Sequence, residues 1–428
     1  MLFLPPEANE IVPIQDFEAA PTVALFDLIR KGTAATRPGL VAVSGLGRKA
    51  VTQRVEALTA RGLVRDGGLV PSIGGRPVRT LEVNPGAGYV VGVMIGSTEI
   101  DVARIDLSGG VIEAVSSTWD VELGPEATMQ RVAGLLQEVG APESGAGPWS
   151  IAVGVPGPVE FSTGRLVGPS VMPGWDGFSP RAWLRDRLDA PVWVDNHVHL
   201  MALAEWRRPP RSKRDMLFIE VGMDVGAGMM VDGRVLRGER GAAGSIGHLR
   251  ATTEPLPCRC GKVGCLEALA AGWAVLDEVT RRVDASPLLA EILRARPLDL
   301  VDIGDAAQSG DALVVSVLER AAQAVGNLVA DLVVFTNPGE VVLGGGVLAA
   351  GTQVEESFLK ALRDAIQTRG AELITAHLSV HASSADDRGM SGAGALALDS
   401  ILNPTALIHW LHAGNPLARR DQLERLAL

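Results

Sequence analysis

All three cysteines of this 428-residue chain fall within one short stretch, at Cys258, Cys260 and Cys265, and His248 lies ten residues before the first. Cys-x-Cys-x4-Cys with one histidine supplies three thiolates and an imidazole, a closed tetrahedral set suited to a structural Zn2+. Gly261 and Gly264 let the backbone turn tightly enough for such near neighbours to converge on one ion. Three buried free cysteines beside an ordinary histidine are the alternative. A chain that uses cysteine nowhere else has no packing reason to cluster them. The stretch therefore predicts a metal knuckle of His248, Cys258, Cys260 and Cys265, around which the rest must fold.

At 428 residues the chain is too long for one core, and two or three domains are expected. Hydrophobic residues at 47% suffice for packed cores, while 4% aromatics and 50 glycines point to Ala/Val/Leu packing with many tight turns. No run reaches the ~18 apolar residues needed to span a bilayer. The N-terminal MLFLPPEANE lacks a basic start and a cleavage site. With clustered cysteines that fit a reducing compartment, the expected location is the cytoplasm, with no membrane partner.

Charge divides the chain. Residues 21–84 carry ten Lys/Arg against Asp27, Glu56, Asp66 and Glu82, a net of +6. Residues 1–20 hold four acids and no base, and the whole chain is −11, so residues 85–428 carry −13. A basic module on an acidic body points to a polyanion partner for the module alone.

That module has a readable pattern. Residues 1–20 show no clear period and read as a loose arm. Pro21 to Lys31 places Val23, Leu25, Phe26 and Ile29 on one helical face, ending before Gly32. Thr36 caps a short second helix through Val43, Ser44 to Gly47 turns, and a third helix runs from Arg48 to about Ala60. Short strands at Leu63–Arg65 and Val78–Val83 follow, joined by a loop containing Gly74-Gly75-Arg76-Pro77. This is a winged helix-turn-helix. Its third helix is expected in the major groove, with Arg48, Lys49, Thr52, Gln53 and Arg54 towards bases or phosphates and Arg76 on the wing. The alternative is a three-helix interaction module whose arginines are a solvated face. One module buries too little surface for strong specificity, so a homodimer or homotetramer on an inverted-repeat operator is expected.

From Gly88 the pattern changes. Tyr89–Ile95 and Ile100–Asp106 read as a hairpin. Trp149–Val155, Val192–Asp195, Met216–Val221, Met229–Val231 and Glu340–Leu343 read as further strands. Helices fall at about 126–138, 179–188, from Leu200, and across 266–335. Alternating strands, helices and glycine turns predict two α/β lobes around a cleft. The tail from Pro404 reads as a helix or two returning to the first lobe. Asn196, His197, His248 and Glu267 offer donors and acceptors suited to a polyhydroxylated ring.

G-x-x-G-x-x-G-H from Gly241 to His248, followed by C-x-C-G-x-x-G-C-L-E to Glu267, resembles the signature of the ROK family, which groups sugar-responsive repressors with sugar kinases. The resemblance implies a ribonuclease-H-like, actin/hexokinase-type body behind the winged domain. The expected division is 1–20 as arm and 21–84 as winged domain. Residues 85–198 plus 388–428 form the first lobe, and 199–387 the second, with the knuckle. It also implies sugar contacts at Asn196, His197 and Ser245. The chain departs from the family's kinases at several positions. A loop resembling D-x-G-G-T begins with Met94. One resembling G-T-G-x-G-x-G has Asp224 at a glycine position. The Asn-Asp pair is Asn196-His197, and an acidic position is Ser245. A thioether cannot hold Mg2+, and an imidazole accepts a proton only while neutral. The expected function is a DNA-binding regulator whose kinase-like body senses a sugar or sugar derivative without phosphorylating it. An ATP-dependent sugar kinase carrying a DNA-binding domain is the alternative, and a body serving only to dimerise is a third.

Overall fold

Sequence and structure first part at Pro21. The computed structural model describes residues 14–70, 78–140, 147–168, 172–208, 215–384 and 389–426. Its first helix, α1, runs Ile14–Arg30 with Pro21 inside it, so part of the expected loose arm is helical. Proline is common at the first helical position, and read as such it hides the preceding turns. α2 (Arg37–Ser44) starts where expected, with the Thr36 hydroxyl accepting from the Gly39 amide at 3.1 Å. α3 spans Arg48–Ala60. The antiparallel strands β1 (Val64–Val70) and β2 (Val78–Val83) complete a winged helix-turn-helix around Leu25, Phe26, Leu40, Val51, Val55 and Leu58. The wing loop with Arg76 lies outside the described residues.

The body contains two five-stranded sheets. The first comprises β3 (Tyr89–Ile95), β4 (Glu99–Asp106), β5 (Val111–Thr118), β6 (Ile151–Val155) and, after a two-stranded ribbon of β7 (Val159–Glu160) and β8 (Arg165–Leu166), β9 (Val192–Asn196). Its order is β5-β4-β3-β6-β9, antiparallel from β5 to β3 and parallel from β3 to β9. The second comprises β10 (Met216–Val221), β11 (Val225–Val231), β12 (Arg234–Val235), β13 (Glu340–Gly344) and β14 (Ser379–Ala382). Its order, β12-β11-β10-β13-β14, repeats the same sequence of antiparallel and parallel pairs. The α/β class and two-lobed architecture agree with the sequence. β5 escaped it because an almost wholly exposed edge strand shows no clean alternation of apolar and polar residues.

The helix Ala312–Thr336 is long and apolar enough to cross a membrane by length and composition alone, yet its apolar stripe is buried in the second lobe's core. It packs against the helix Thr352–Arg369.

Two helices join the lobes. His197–Arg207 follows β9 and lies on β11, while Met390–Leu402 returns from the second lobe to cover β3 and β6. They cross backbone to backbone, since a Cβ added at Gly392 would lie 1.8 Å from the Leu200 carbonyl oxygen. Beyond them the tail helix Pro404–Trp410 reaches further than expected, packing on α1 of the winged domain as well as on the helix Met390–Leu402 before it. Trp410 is fully buried, meets Trp149 edge-on at 5.4 Å, and donates its indole N–H to the Ile401 carbonyl at 2.7 Å. One apolar cluster thus runs from Phe26 and Leu58 through Leu407 and Trp410 to Trp149 and Val90.

Polar contacts flank this seam. Arg61 Nε donates to the Leu411 carbonyl at 3.3 Å, and Arg30 pairs with Asp399 at 2.7 Å. Asp399 also pairs with Arg207, at the C-terminal end of the helix that begins with His197. Trp410→Ala should therefore cost about 3–5 kcal/mol, measured by urea denaturation, and should loosen the winged domain from the body. A loss below about 1 kcal/mol would contradict the packing described.

Candidate functional site

Three regions carry the chemistry anticipated from the sequence. On α3, Arg48, Lys49, Thr52 and Gln53 are exposed while Val51, Val55 and Leu58 pack inward. Arg54 does not share that open face. It is half-buried, and its guanidinium turns back to the Ala50 carbonyl at 3.2 Å. Glu56, which the sequence reading left out of the face, is exposed between the others.

The knuckle is the second region. His248 ends a single turn, Ile246–His248, and short bridges pair Arg250 with Cys265 and Pro257 with Val263. These bring His248, Cys258, Cys260 and Cys265 together with their ligand atoms within 4.8 Å of one another. Cys260 and Cys265 sulfurs are 3.8 Å apart, and His248 Nδ1 is 3.9 Å from the Cys258 sulfur. Zn–S bonds of about 2.3 Å at tetrahedral angles require sulfurs about 3.8 Å apart, so the donor set fits a tetrahedral ion. Burial holds the His248 pKa below its ordinary value, which favours the neutral, ligating imidazole. Burial also raises the Cys258 thiol, so ionising it there needs a nearby cation.

The third region is a cavity of about 670 Å³ between the lobes, lined among others by Met94, Ser97, His197, Glu220, Asp224 and Gly345. Of the five residues expected to contact ligand, only His197 lines it. Asn196 instead caps its helix, its side-chain oxygen accepting from the Val198 amide at 3.0 Å. Ser245 is exposed and donates to the Ala242 carbonyl at 3.1 Å. His248 belongs to the knuckle. So does Glu267, whose carboxyl lies 3.8 Å from the Cys258 sulfur and is pushed up to about 7 by burial and the charge of Asp224.

His197 itself differs from expectation. Its Nδ1 meets the Val155 carbonyl at 3.1 Å, and its Nε2 lies 2.6 Å from Glu220 and 3.9 Å from Asp224. The Glu220 contact is a close ion pair that lacks the alignment of a hydrogen bond, leaving that carboxylate oxygen without a hydrogen-bond partner. Burial alone would lower the imidazole's pKa, but Glu220 and Asp224 outweigh it and push it up to about 10. At neutral pH His197 is an imidazolium, not the neutral proton acceptor its residue type allowed. Asp224 is pushed up to about 6, by burial first and by Glu220 against the opposing pull of His197. Glu220 was missed in sequence, although a carboxylate in the otherwise apolar MLFIEV strand was a visible signal.

The glycines after Gly222 also have a different setting from the one expected. Gly226 and Gly228 lie within β11, and a Cβ on Gly228 would be 2.6 Å from Ala202 Cβ and 2.8 Å from the Val198 carbonyl oxygen. Their lack of side chains lets the helix His197–Arg207 lie on the strand. Behind that helix His199, fully buried, spans Asp195 at 2.8 Å and the Ala243 carbonyl at 2.9 Å, tying the knuckle loop to β9.

A family model described as ROK family matches residues 90–400, which include both lobes and the knuckle. The chain belongs to the ROK family. Among similar proteins, a glucokinase of Halalkalibacterium halodurans is 31% identical over 282 residues, 64% of this chain and 84% of that protein. A xylose repressor of Caldicellulosiruptor bescii is 27% identical over 368 residues, 84% of this chain and 90% of that protein. A crystal structure described as a ROK family transcriptional regulator, homologous to Escherichia coli MLC, superposes with a TM-score of 0.73 at 22% identity. It covers 94% of this chain and all of that one, so the fold is shared almost end to end.

His197→Gln should leave Glu220 and Asp224 facing one another without a cation, at a cost of about 3–5 kcal/mol at pH 8. Because His197 is raised from 6.5 to about 10, its wild-type contribution is full below pH 6.5 and fades as pH rises through 10. At pH 10.5, above that value, the wild-type imidazole is itself neutral and the penalty should shrink. Urea denaturation at the two pH values checks this, and equal losses would contradict the charged triad.

Proposed function

We propose that this ROK protein is a DNA-binding transcriptional regulator, acting as a repressor, whose kinase-like body senses a sugar or sugar derivative. The observation that carries the reading is the open face of α3, presented by a winged domain that shares its core with the body. The alignment with a xylose repressor over 84% of this chain supports it. In this reading α1 (Ile14–Arg30) belongs whole to the winged domain, which ends at residue 84. The first lobe is 85–198 plus 388–428, and the second is 199–387. The protein works in the cytoplasm as a homodimer or homotetramer on an inverted repeat, because one recognition helix reads too few bases alone.

The reading includes no phosphoryl transfer. Met94 offers a thioether where a kinase of the family has a carboxylate, and the proton acceptor's place holds an imidazolium already paired with Glu220. An effector in this cleft would meet His197, Glu220 and Asp224, at the start of the helix that ends on Arg207. A shift of that helix bears on Asp399, and Asp399 holds Arg30 of the winged domain. Effector binding and DNA binding would then bias the same packed element. Selection of bound DNA from a random pool, followed by release with a panel of sugars and an assay for ATP turnover, tests the whole reading. An enriched inverted repeat with no ATP turnover supports it. Robust phosphorylation of a hexose or amino sugar without sequence-selective DNA binding would replace it with the kinase.

The knuckle ion is zinc in this reading, held by His248, Cys258, Cys260 and Cys265 with a structural role. Elemental analysis of purified protein should give one zinc per chain. Cys260→Ser should lose the metal and destabilise the second lobe. Well under half a zinc per chain would count against this assignment.

A further inference from the structure

Glu56 is the one acidic side chain on the recognition helix, and it sits in the middle of the face that would meet DNA. With about 100° between successive residues, Arg48 and Thr52 lie to one side of it and Lys49 and Gln53 to the other. Glu56 falls one turn beyond Thr52 and two beyond Lys49. It is exposed, and among the described residues it makes no ion pair. The other acids of the described winged domain are engaged. Asp27 is held by Arg30 and Lys31, Asp66 by Arg37, and Glu82 by Arg65.

A carboxylate in this position weakens binding to every sequence, because each phosphate repels it. The repulsion is offset only where the groove floor presents a hydrogen-bond donor without an adjacent acceptor. Guanine shows two acceptors in the major groove, thymine shows one beside a methyl group, and adenine pairs its amino donor with the N7 acceptor. Cytosine alone shows only the N4 amino donor. A carboxylate central to the face therefore discriminates on both sides, gaining a charge-assisted bond at cytosine and meeting lone pairs at guanine or thymine.

We propose that Glu56 is a specificity-determining residue that reads a cytosine in each half-site, by accepting a hydrogen bond from its N4 amino group. This rests on the DNA-binding reading above. The neighbours then divide the work. Lys49 and Arg48 supply charge towards phosphates or guanine, Gln53 and Thr52 remain free for other base edges, and Glu56 rejects sites that charge alone would accept.

The test is selection from a random pool with the full-length protein and its Glu56→Ala and Glu56→Gln variants, together with affinity for a non-specific duplex. All three should fold alike by circular dichroism, since the side chain is exposed on a helix surface. The wild type should enrich one fixed C·G pair per half-site that Glu56→Ala relaxes by about 10- to 100-fold, the range of one good base contact. Glu56→Gln should move the preference at that pair towards A·T, because an amide matches the donor and acceptor of adenine. Both variants should bind non-specific DNA more tightly than the wild type. If Glu56→Ala enriches the same motif at every position, Glu56 is not a reader, even if its non-specific affinity rises. If the wild type enriches no motif, the DNA-binding reading itself fails, whatever the variants do.

Discussion

Asp399 holds two arginines at once, Arg30 from the first helix of the winged domain and Arg207 from the end of the helix that starts at His197. The carboxylate is one-third exposed, so each pair is worth no more than about 1 kcal/mol. Most of the stability of this junction comes from the apolar seam beside it, where Trp410, Leu407 and Leu411 continue the core of the winged domain into the first lobe. What the ion pairs add is direction. A buried apolar seam is tolerant of small rotations, whereas a carboxylate shared between two guanidiniums fixes how α1 sits against the two interlobe helices.

The opposite end of the same helix carries the other charge site. His197 and Glu220 are buried and Asp224 half-buried at the floor of the cleft, and no arginine or lysine lines that cavity among the described residues. A cleft of this fold that handles nucleotide needs glycine loops open to phosphate and a carboxylate for the metal. Here the second loop's later glycines are spent on helix packing, and the base position is occupied by a cation. The body has a two-lobed frame, and His197, Glu220 and Asp224 meet at the start of the helix His197–Arg207. That helix is about 16 Å long, at 1.5 Å per residue, and it is clamped by backbone-to-backbone crossing at Gly392 and Gly228.

Much of this was legible in the sequence for identifiable reasons. The knuckle's cluster was, because four side chains that could hold one metal ion must meet in space and here are near in sequence. The helix-turn-helix was, because Thr36, Gly45 and the Val51, Val55, Leu58 stripe are local signals. What stayed hidden depends on partners far along the chain. Glu220 acquires meaning only when β10 brings it to His197. Asp399 acquires it only when Arg30 and Arg207, respectively 369 and 192 residues away, converge on it. The helix cap at Asn196 was available from its residue type. The turn of Arg54 back to the Ala50 carbonyl was not legible, because helix spacing alone does not fix a side-chain rotamer.

The central claim is that the body fixes the orientation in which the winged domain meets DNA. The most direct measurement is the affinity of full-length Asp399→Asn for the DNA selected by the wild type. The account predicts binding about three- to tenfold weaker, within the worth of two partly exposed ion pairs, with unchanged base preference, because the recognition face is untouched while its orientation is freed. Affinity equal to wild type within twofold would contradict it, and would make the winged domain a passenger on the body.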